Sequence, residues 1–269
     1  GDLVGYNADP KAIIEKVSEL IDKNKAIAVM GNHDQAVFTD HSTRMNKSAW
    51  AAIQWTRDQL GDDHTSFLKQ LPLIHKEEDI CFVHASASNP DSWSYVDGGM
   101  AAWHCAESSE SIYTFVGHVH DATVYYQSTV GKLMRFHPHP EEPVPMSRHR
   151  RWVSIAGSLG QPRDGNPAAC YALFEPDEEI TTFYRVDYDH NKAAEKVRKA
   201  GFAIIDNELE DGLVAVAAPV FNQEGKVVAA ISISGPDARI SRDQLNKFGE
   251  LIVKELKNNS TPNGKAGAA

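Results

Sequence analysis

Cysteine is scarce and falls into no ligand pattern: Cys81, Cys105 and Cys170 are the only three in 269 residues, with no C-x-x-C spacing. This excludes both a disulfide framework and a thiolate zinc site, and fits a reducing, cytoplasmic setting. Long apolar runs are missing too. No stretch reaches the roughly 18 residues that a membrane span needs, and no basic leader precedes an apolar segment, so the chain reads as soluble with no membrane partner. Positive charge is in short supply, 27 Lys and Arg against 37 Asp and Glu, for a net charge of -10. A nucleic-acid backbone is held by a stripe of Lys and Arg, so nucleic-acid binding is not indicated. An acidic chain can still surround a cationic metal centre.

Beyond Gly201 a further absence divides the chain. All twelve His, five Trp, eight Tyr, three Cys and five Met precede residue 202, and the remainder is rich in Val, Ala, Ile, Asp and Glu. Two segments of different character, 1–201 and 202–269, meet there. No internal repeat crosses the join, and 42% hydrophobic with 24% charged residues is ordinary globular composition.

What is present begins with an α/β grammar. Asp9-Pro10 marks a helix start, Asp as N-cap and Pro at the first helical position, and Ile13, Ile14, Val17, Leu20 and Ile21 recur at helical spacing. A short buried strand is expected over Ala26 to Met30, ending in Gly31-Asn32-His33-Asp34. Helices are expected from Ser48 to about Leu60 and over Ser66 to Gln70. Strands are expected over Ile80 to Val83, before His84, and over Tyr113 to Val116, before His118. Val124 to Gln127 and Lys132 to Phe136 read as a hairpin, His137 to Pro145 as an irregular loop, and Trp152 to Ala156, Ala169 to Phe174 and Ile180 to Val186 as strands. Asn191 to Ala200 reads as a helix. In the tail, Leu213 to Val220 and Lys226 to Ile233 form a hairpin around Asn222-Gln223-Glu224-Gly225, and Ser241 with Gln244 makes a capping box for a helix carrying Leu245, Phe248, Leu251, Ile252 and Leu256. Polar groups at strand carboxyl ends lie where open α/β sheets place their sites.

Each such residue has a bland reading of its own. Asp2 alone is solvated surface, Asn32 a turn or capping residue, and His84 a core or turn histidine. The i, i+2 pair His118-Val119-His120 can aim both imidazoles into one cavity if the backbone bends, and imidazole suits Zn, Mn and Fe. Four such elements, each after a β-rich run, point jointly to a metal site.

Gly1-Asp2-Leu3-Val4-Gly5-Tyr6, Gly31-Asn32-His33-Asp34, Val83-His84-Ala85-Ser86, Gly117-His118-Val119-His120 and Gly157-Ser158-Leu159-Gly160-Gln161-Pro162-Arg163-Asp164 together resemble the ordered motifs of the calcineurin-like metallophosphoesterases. The resemblance implies a four-layer α/β/β/α sandwich with two divalent metal ions (Mn, Fe, Zn, Ni or Co). It also implies hydrolysis of a phosphoester substrate, as a phosphatase or phosphodiesterase, by a metal-activated hydroxide. Carried over, Asp2 bridges the metals, Asn32, His84 and His118 complete the second, His120 binds the first, and His33 donates the proton to the leaving alkoxide with Asp34 orienting it. Arg163 is either a guanidinium fork on the phosphate or a surface ion pair. That family places an Asp-x-His pair upstream of its Gly-Asp motif, and this sequence begins at that motif. The expectation is therefore an amino-terminally truncated domain with one well-furnished metal position and one depleted position.

In the tail, Asn207-Glu208-Leu209-Glu210-Asp211-Gly212, Ala217-Ala218-Pro219-Val220-Phe221 and Ala230-Ile231-Ser232-Ile233-Ser234-Gly235-Pro236 resemble the carboxyl-terminal part of the effector-binding domain of IclR-type transcription regulators. This implies a small α+β segment in which Asp206 and Ser232 border an effector pocket. It leaves open a gene fusion or recombined reading frame, acting as a ligand-binding or assembly module. An oligomer is compatible with either reading.

Overall fold

A computed structural model describes residues 1–6, 9–40, 45, 47–128, 130–189, 203–206, 213–221, 227–236 and 239–259. It divides into two compact units, Gly1–Asp40 with Ala52–Tyr188, and His41–Ala51 with Asp189–Ala269. The helix expected at Asn191 to Ala200 and the turn at Asn222 to Gly225 lie outside the described residues. No helix among the described residues is long and apolar enough to cross a membrane.

The first unit is organised by a six-stranded sheet. Its strands are β1 (Ile74–Glu77), β2 (Ile80–Val83), β3 (Tyr113–Val116), β4 (Thr123–Gln127), β5 (Leu133–Phe136) and β7 (Trp152–Ile155), in the order β1-β2-β3-β7-β4-β5. The centre is parallel: Phe82 lies opposite Phe115 and Val116 opposite Ile155. The carboxyl ends of β2, β3 and β7 are thus level, and the loops that follow them rise from one edge. A second sheet holds β6 (Pro143–Pro145), β8 (Ala169–Glu175) and β9 (Ile180–Val186), in the order β6-β9-β8.

Strand alternation explains the layering. Cys81, Val83, Val116, Val153 and Ile155 turn to one face and pack on Ala102, Cys105 and Ala106 of α5 (Gly99–Ser109). Tyr113, Phe115, Val124 and Trp152 turn to the other and pack on Cys170 and Phe183 of the second sheet and on Met146, directly after β6. The result is a mixed α/β fold, helix on sheet on sheet. A third cluster joins Val4, Ile14, Met30, Val37, Leu68 and Leu71, drawn from α1 (Pro10–Asp22), α4 (Asp62–Gln70) and the segments that flank them, Val37 directly following α2 (Asn32–Ala36). Helix α3 spans Lys47–Gln59.

Several elements differ from the sequence reading. Ala26 to Met30 makes no ladder among the described residues; the Met30 N–H instead donates to the Pro72 carbonyl at 2.8 Å. Its apolar run still serves the core, because Val29 and Met30 are buried. The proline-rich loop contains the short strand β6, paired with β9 alone, and an edge position is where proline's missing N–H costs no ladder bond. Ile13 faces outward while Ile14 is buried.

In the second unit, β10 (Ala203–Asp206), β11 (Leu213–Phe221) and β12 (Val227–Pro236) form an antiparallel sheet. Val216 and Ala218 pack on Leu245 and Ile252 of α6 (Arg242–Asn259). The capping box forms as the sequence dictates: Ser241 N–H donates to Gln244 Oε1 at 2.8 Å and Gln244 N–H to Ser241 Oγ at 3.4 Å.

Candidate metal centre

The level strand ends gather the polar residues. Asp2 sits in the left-handed region (φ 54°), as do His118 (φ 61°) and His120 (φ 67°). For residues with a Cβ that conformation costs of order 1–3 kcal/mol and concentrates at functional sites. It also supplies the bend that the His118-Val119-His120 spacing requires. Both histidines are left-handed, and Val119 N–H bonds back to Gly117 O at 2.7 Å, so the backbone here turns instead of continuing as an extended strand.

Asp2, His84 and His118 each present a ligand atom within 4.8 Å of the others. His84 Nε2 lies 3.1 Å from Asp2 Oδ2 and 3.2 Å from Asn32 Oδ1. One ring nitrogen facing two oxygen acceptors can satisfy only one of them with a proton, and Asp2 Oδ2 is buried without a hydrogen bond. A divalent cation satisfies all of them at once, and this mixed N/O set suits such an ion. The residues present therefore fit a metal.

Electrostatics point the same way. Burial works to raise the Asp2 carboxyl, but His84 and then His33 outweigh it and hold the group well below the ordinary carboxylate range. Burial, then repulsion from His84, pushes His118 down to about 3; burial, then Arg163, pushes His120 down to about 4. Both imidazoles are neutral at physiological pH, as a metal ligand must be. The His120 ring is anchored through Nδ1, 2.8 Å from the Gln161 carbonyl, which leaves Nε2 for a ligand role. His118 lies beside the Trp93 backbone, which works to raise its pKa, and stacks on Tyr95, centroids 4.1 Å apart. His120 is not part of the three-residue cluster.

The glycines of the motif make the approach feasible. A Cβ on Gly31 would stand 2.1 Å from Asp2 Oδ1. Asp2 Oδ1 itself accepts the His33 N–H at 2.9 Å, one of the unpaired donors at the start of α2.

His33 and Asp34 part company. Asp34 is fully buried and accepts from Gly31 N–H (2.9 Å) and Val4 N–H (3.2 Å). It clamps the two motif segments together and does not reach the His33 imidazole, the role the family resemblance implied for it. Burial, then the nearby Asp2 charge, raises its carboxyl to about 6. His33 is buried, its Nδ1 without a hydrogen bond, and burial lowers its pKa. Its ring stacks instead on Tyr6 (4.1 Å, 24°). Arg163 is exposed; its backbone N–H donates to His120 O at 3.1 Å and its side chain to Gln161 Oε1 at 3.1 Å, and its guanidinium lies beside the Tyr6 phenol.

The sequence reading missed Tyr6, Trp93, Tyr95 and Gln35. Trp93 Nε1 donates to Gln35 Oε1 at 3.0 Å, linking the loop beside His118 to α2. Tyr6 was within reach, four residues after Asp2 in the same motif; nothing in the local pattern marks Trp93 or Tyr95. In the second unit Ser232 pairs with Ala217, itself paired with Ala203. Asp206 is three residues further along β10, so the register gives the two residues no shared ladder position; Ser232 is exposed, and the Asp206 side chain lies outside the described residues.

Comparison with known proteins follows this division. The chain is 31% identical over 209 residues to an uncharacterised protein of Methanocaldococcus jannaschii, covering 74% of this chain and 79% of that protein. The crystal structure of a metallophosphoesterase from Sphaerobacter thermophilus is similar with a TM-score of 0.62 and 33% identity, over 75% of this chain and 81% of that one. A hypothetical protein from Pyrococcus horikoshii shares the fold at 17% identity (TM-score 0.58; 74% and 77% covered). Residues 190–259 match the family described as bacterial transcriptional regulator IclR C-terminal. Over 73 residues the chain is 38% identical to the transcriptional repressor AllR of Salmonella typhi, spanning 27% of that protein's length.

Proposed function

Because the chain belongs to the metallophosphoesterase family, we propose that residues 1–201 catalyse metal-dependent hydrolysis of phosphoesters, with the ion held by Asp2, Asn32, His84 and His118 and a second position offered by Asp2 and His120. The observation that carries this reading is Asp2 Oδ2, buried without a hydrogen bond beside His84 and His118. A divalent ion there supplies Lewis-acid polarisation of the phosphoryl group and lowers the pKa of a water. The protein's own groups do the rest. Arg163 offers a guanidinium to the phosphate oxygens. His33 hands a proton to the leaving oxygen, an effect typically worth about 10²–10⁴ in rate. Asp34 holds the Gly31 and Val4 backbone in place, so its contribution is structural.

The test is turnover of p-nitrophenyl phosphate and bis(p-nitrophenyl) phosphate by the full chain with Mn²⁺, Fe²⁺, Zn²⁺, Ni²⁺ or Co²⁺. Activity is expected with at least one ion, removed by a chelator and restored by the metal, and lost in His84→Ala. Turnover that survives both chelation and His84→Ala would reject the centre. A second reading is favoured by the match at 190–259: the chain is an effector-type ligand-binding or assembly module, with Asp206 and Ser232 at its pocket. A small molecule that raises thermal stability in a chain without turnover under any metal would support it.

A further inference from the structure

The proton donor needs something to aim it. Nδ1 of His33 has no side-chain partner, only the Gly5 backbone beside it, and both oxygens of Asp34 are taken by backbone N–H groups. The ring is fixed by its faces instead. Tyr6 lies against it at 4.1 Å and 24°, and turns an edge to His120 at 5.4 Å and 67°. Gly5 closes the Nδ1 side, where a Cβ would come within 2.5 Å of that nitrogen. The Arg163 guanidinium lies beside the Tyr6 phenol, close enough to offset part of the upward push that burial gives its pKa.

We propose that Tyr6 is the positioning residue of this site: its ring sets the His33 imidazole and its hydroxyl sets the Arg163 guanidinium, so that one side chain registers the proton donor against the phosphate-binding group. The inference rests on the reading of the site as a phosphoesterase centre. In the step concerned, the bond from phosphorus to the ester oxygen breaks as water adds to phosphorus. The His33 Nε2 proton passes to the departing oxygen, leaving His33 neutral until solvent reprotonates it. A p-nitrophenolate leaves without a proton, whereas an alkoxide does not. Misaiming His33 therefore penalises alkyl esters selectively, which a general loss of fold does not do.

The experiment compares p-nitrophenyl phosphate with an alkyl phosphate, read by phosphate release, in the metal-loaded full chain. Tyr6→Leu is expected to lower kcat on the alkyl ester by ~10- to 100-fold, within the span of general acid catalysis, and on the aryl ester by less than ~3-fold. The double variant with His33→Ala is expected to be no worse than His33→Ala alone, since residues acting as one unit are not additive. Tyr6→Phe keeps the stack and frees Arg163, so it raises KM more than it lowers kcat. A readout independent of turnover is the NMR shift of the His33 ring, displaced upfield by the stacked phenol. It is expected to persist in Tyr6→Phe and to vanish in Tyr6→Leu. Equal losses on both esters, an additive double variant, or a His33 shift indifferent to Tyr6→Leu overturns the inference while leaving the hydrolase reading intact. Failure of the wild-type chain on both esters overturns the hydrolase reading and the inference with it.

Discussion

At the scale of single residues, the centre is assembled against local preference. Asp2, His118 and His120 all occupy positive φ, a conformation that the surrounding hydrogen bonds must impose. Gly31 is the converse case. Its own dihedrals are ordinary (φ -106°, ψ 170°), so any residue could adopt them, yet a Cβ would collide with Asp2 Oδ1 at 2.1 Å. The same Cβ would also meet the Asp2 backbone nitrogen at 2.2 Å, so Gly31→Ala is expected to displace Asp2, carboxylate and backbone together, while leaving the helices and sheets in place. Metal affinity by calorimetry should fall by about 10–100-fold, the range for disturbing a ligand's support, with far-UV circular dichroism unchanged. The buried imidazoles give a pH prediction. His118 and His120 are depressed to about 3 and about 4 from the usual value near 6.5, so between those limits the unfolded chain binds protons that the folded one refuses. Stability then rises with pH: it is fully present above about 6.5 and is lost as pH falls toward 4. Thermal denaturation in chelator across pH 4–7.5 should show the melting temperature climbing through that window; a flat profile would contradict the burial of neutral imidazoles.

Among the secondary-structure elements, most of what positions the site was legible from alternation and from where apolar runs stop. Ile80 to Val83 and Tyr113 to Val116 were readable as strands because they are short, β-rich and followed by polar turns, and the structure has them with the same bounds. Ser241 and Gln244 announced α6 through a local cap. Ala26 to Met30 misled because an apolar run records burial, not pairing, and a ladder requires a neighbour that periodicity does not reveal. β6 was hidden by its prolines, and β1 by its polar His75, Lys76 and Glu77. At the site, Asp2, His84 and His118, which the fold brings within 4.8 Å of one another, were readable as residues of one cluster. The stacking of Tyr6 on His33 and the separation of Asp34 from it were not, because both depend on how two distant motifs meet. The packing of the two sheets makes its own prediction. Phe183 is 2% exposed between them, and Phe183→Ala should cost about 3–5 kcal/mol in urea denaturation, as large-to-small core changes do. A cost under about 1 kcal/mol would mean that this face is not the core.

For the molecule as a whole, the formal charge of -10 repels an anionic ester at long range, so on the proposed reading recognition would rest on close cationic groups, Arg163 and a bound ion. The chain joins sequence similar to metallophosphoesterases to a stretch matching a regulator's carboxyl-terminal domain, and each unit has its own buried cluster. The histidines lie entirely before residue 202, so any imidazole-ligated metal chemistry belongs to the stretch similar to metallophosphoesterases. The central claim is that Asp2, with Asn32, His84 and His118, holds the ion on which hydrolysis depends. Its most direct test is a Mn²⁺ titration of the chelator-treated full chain, wild type against Asp2→Asn, followed by p-nitrophenyl phosphate turnover on the same samples. Binding and turnover are expected in the wild type, with affinity at least ~10-fold weaker and turnover lost in Asp2→Asn; equal binding and equal turnover in both would mean that Asp2 holds no ion on which hydrolysis depends.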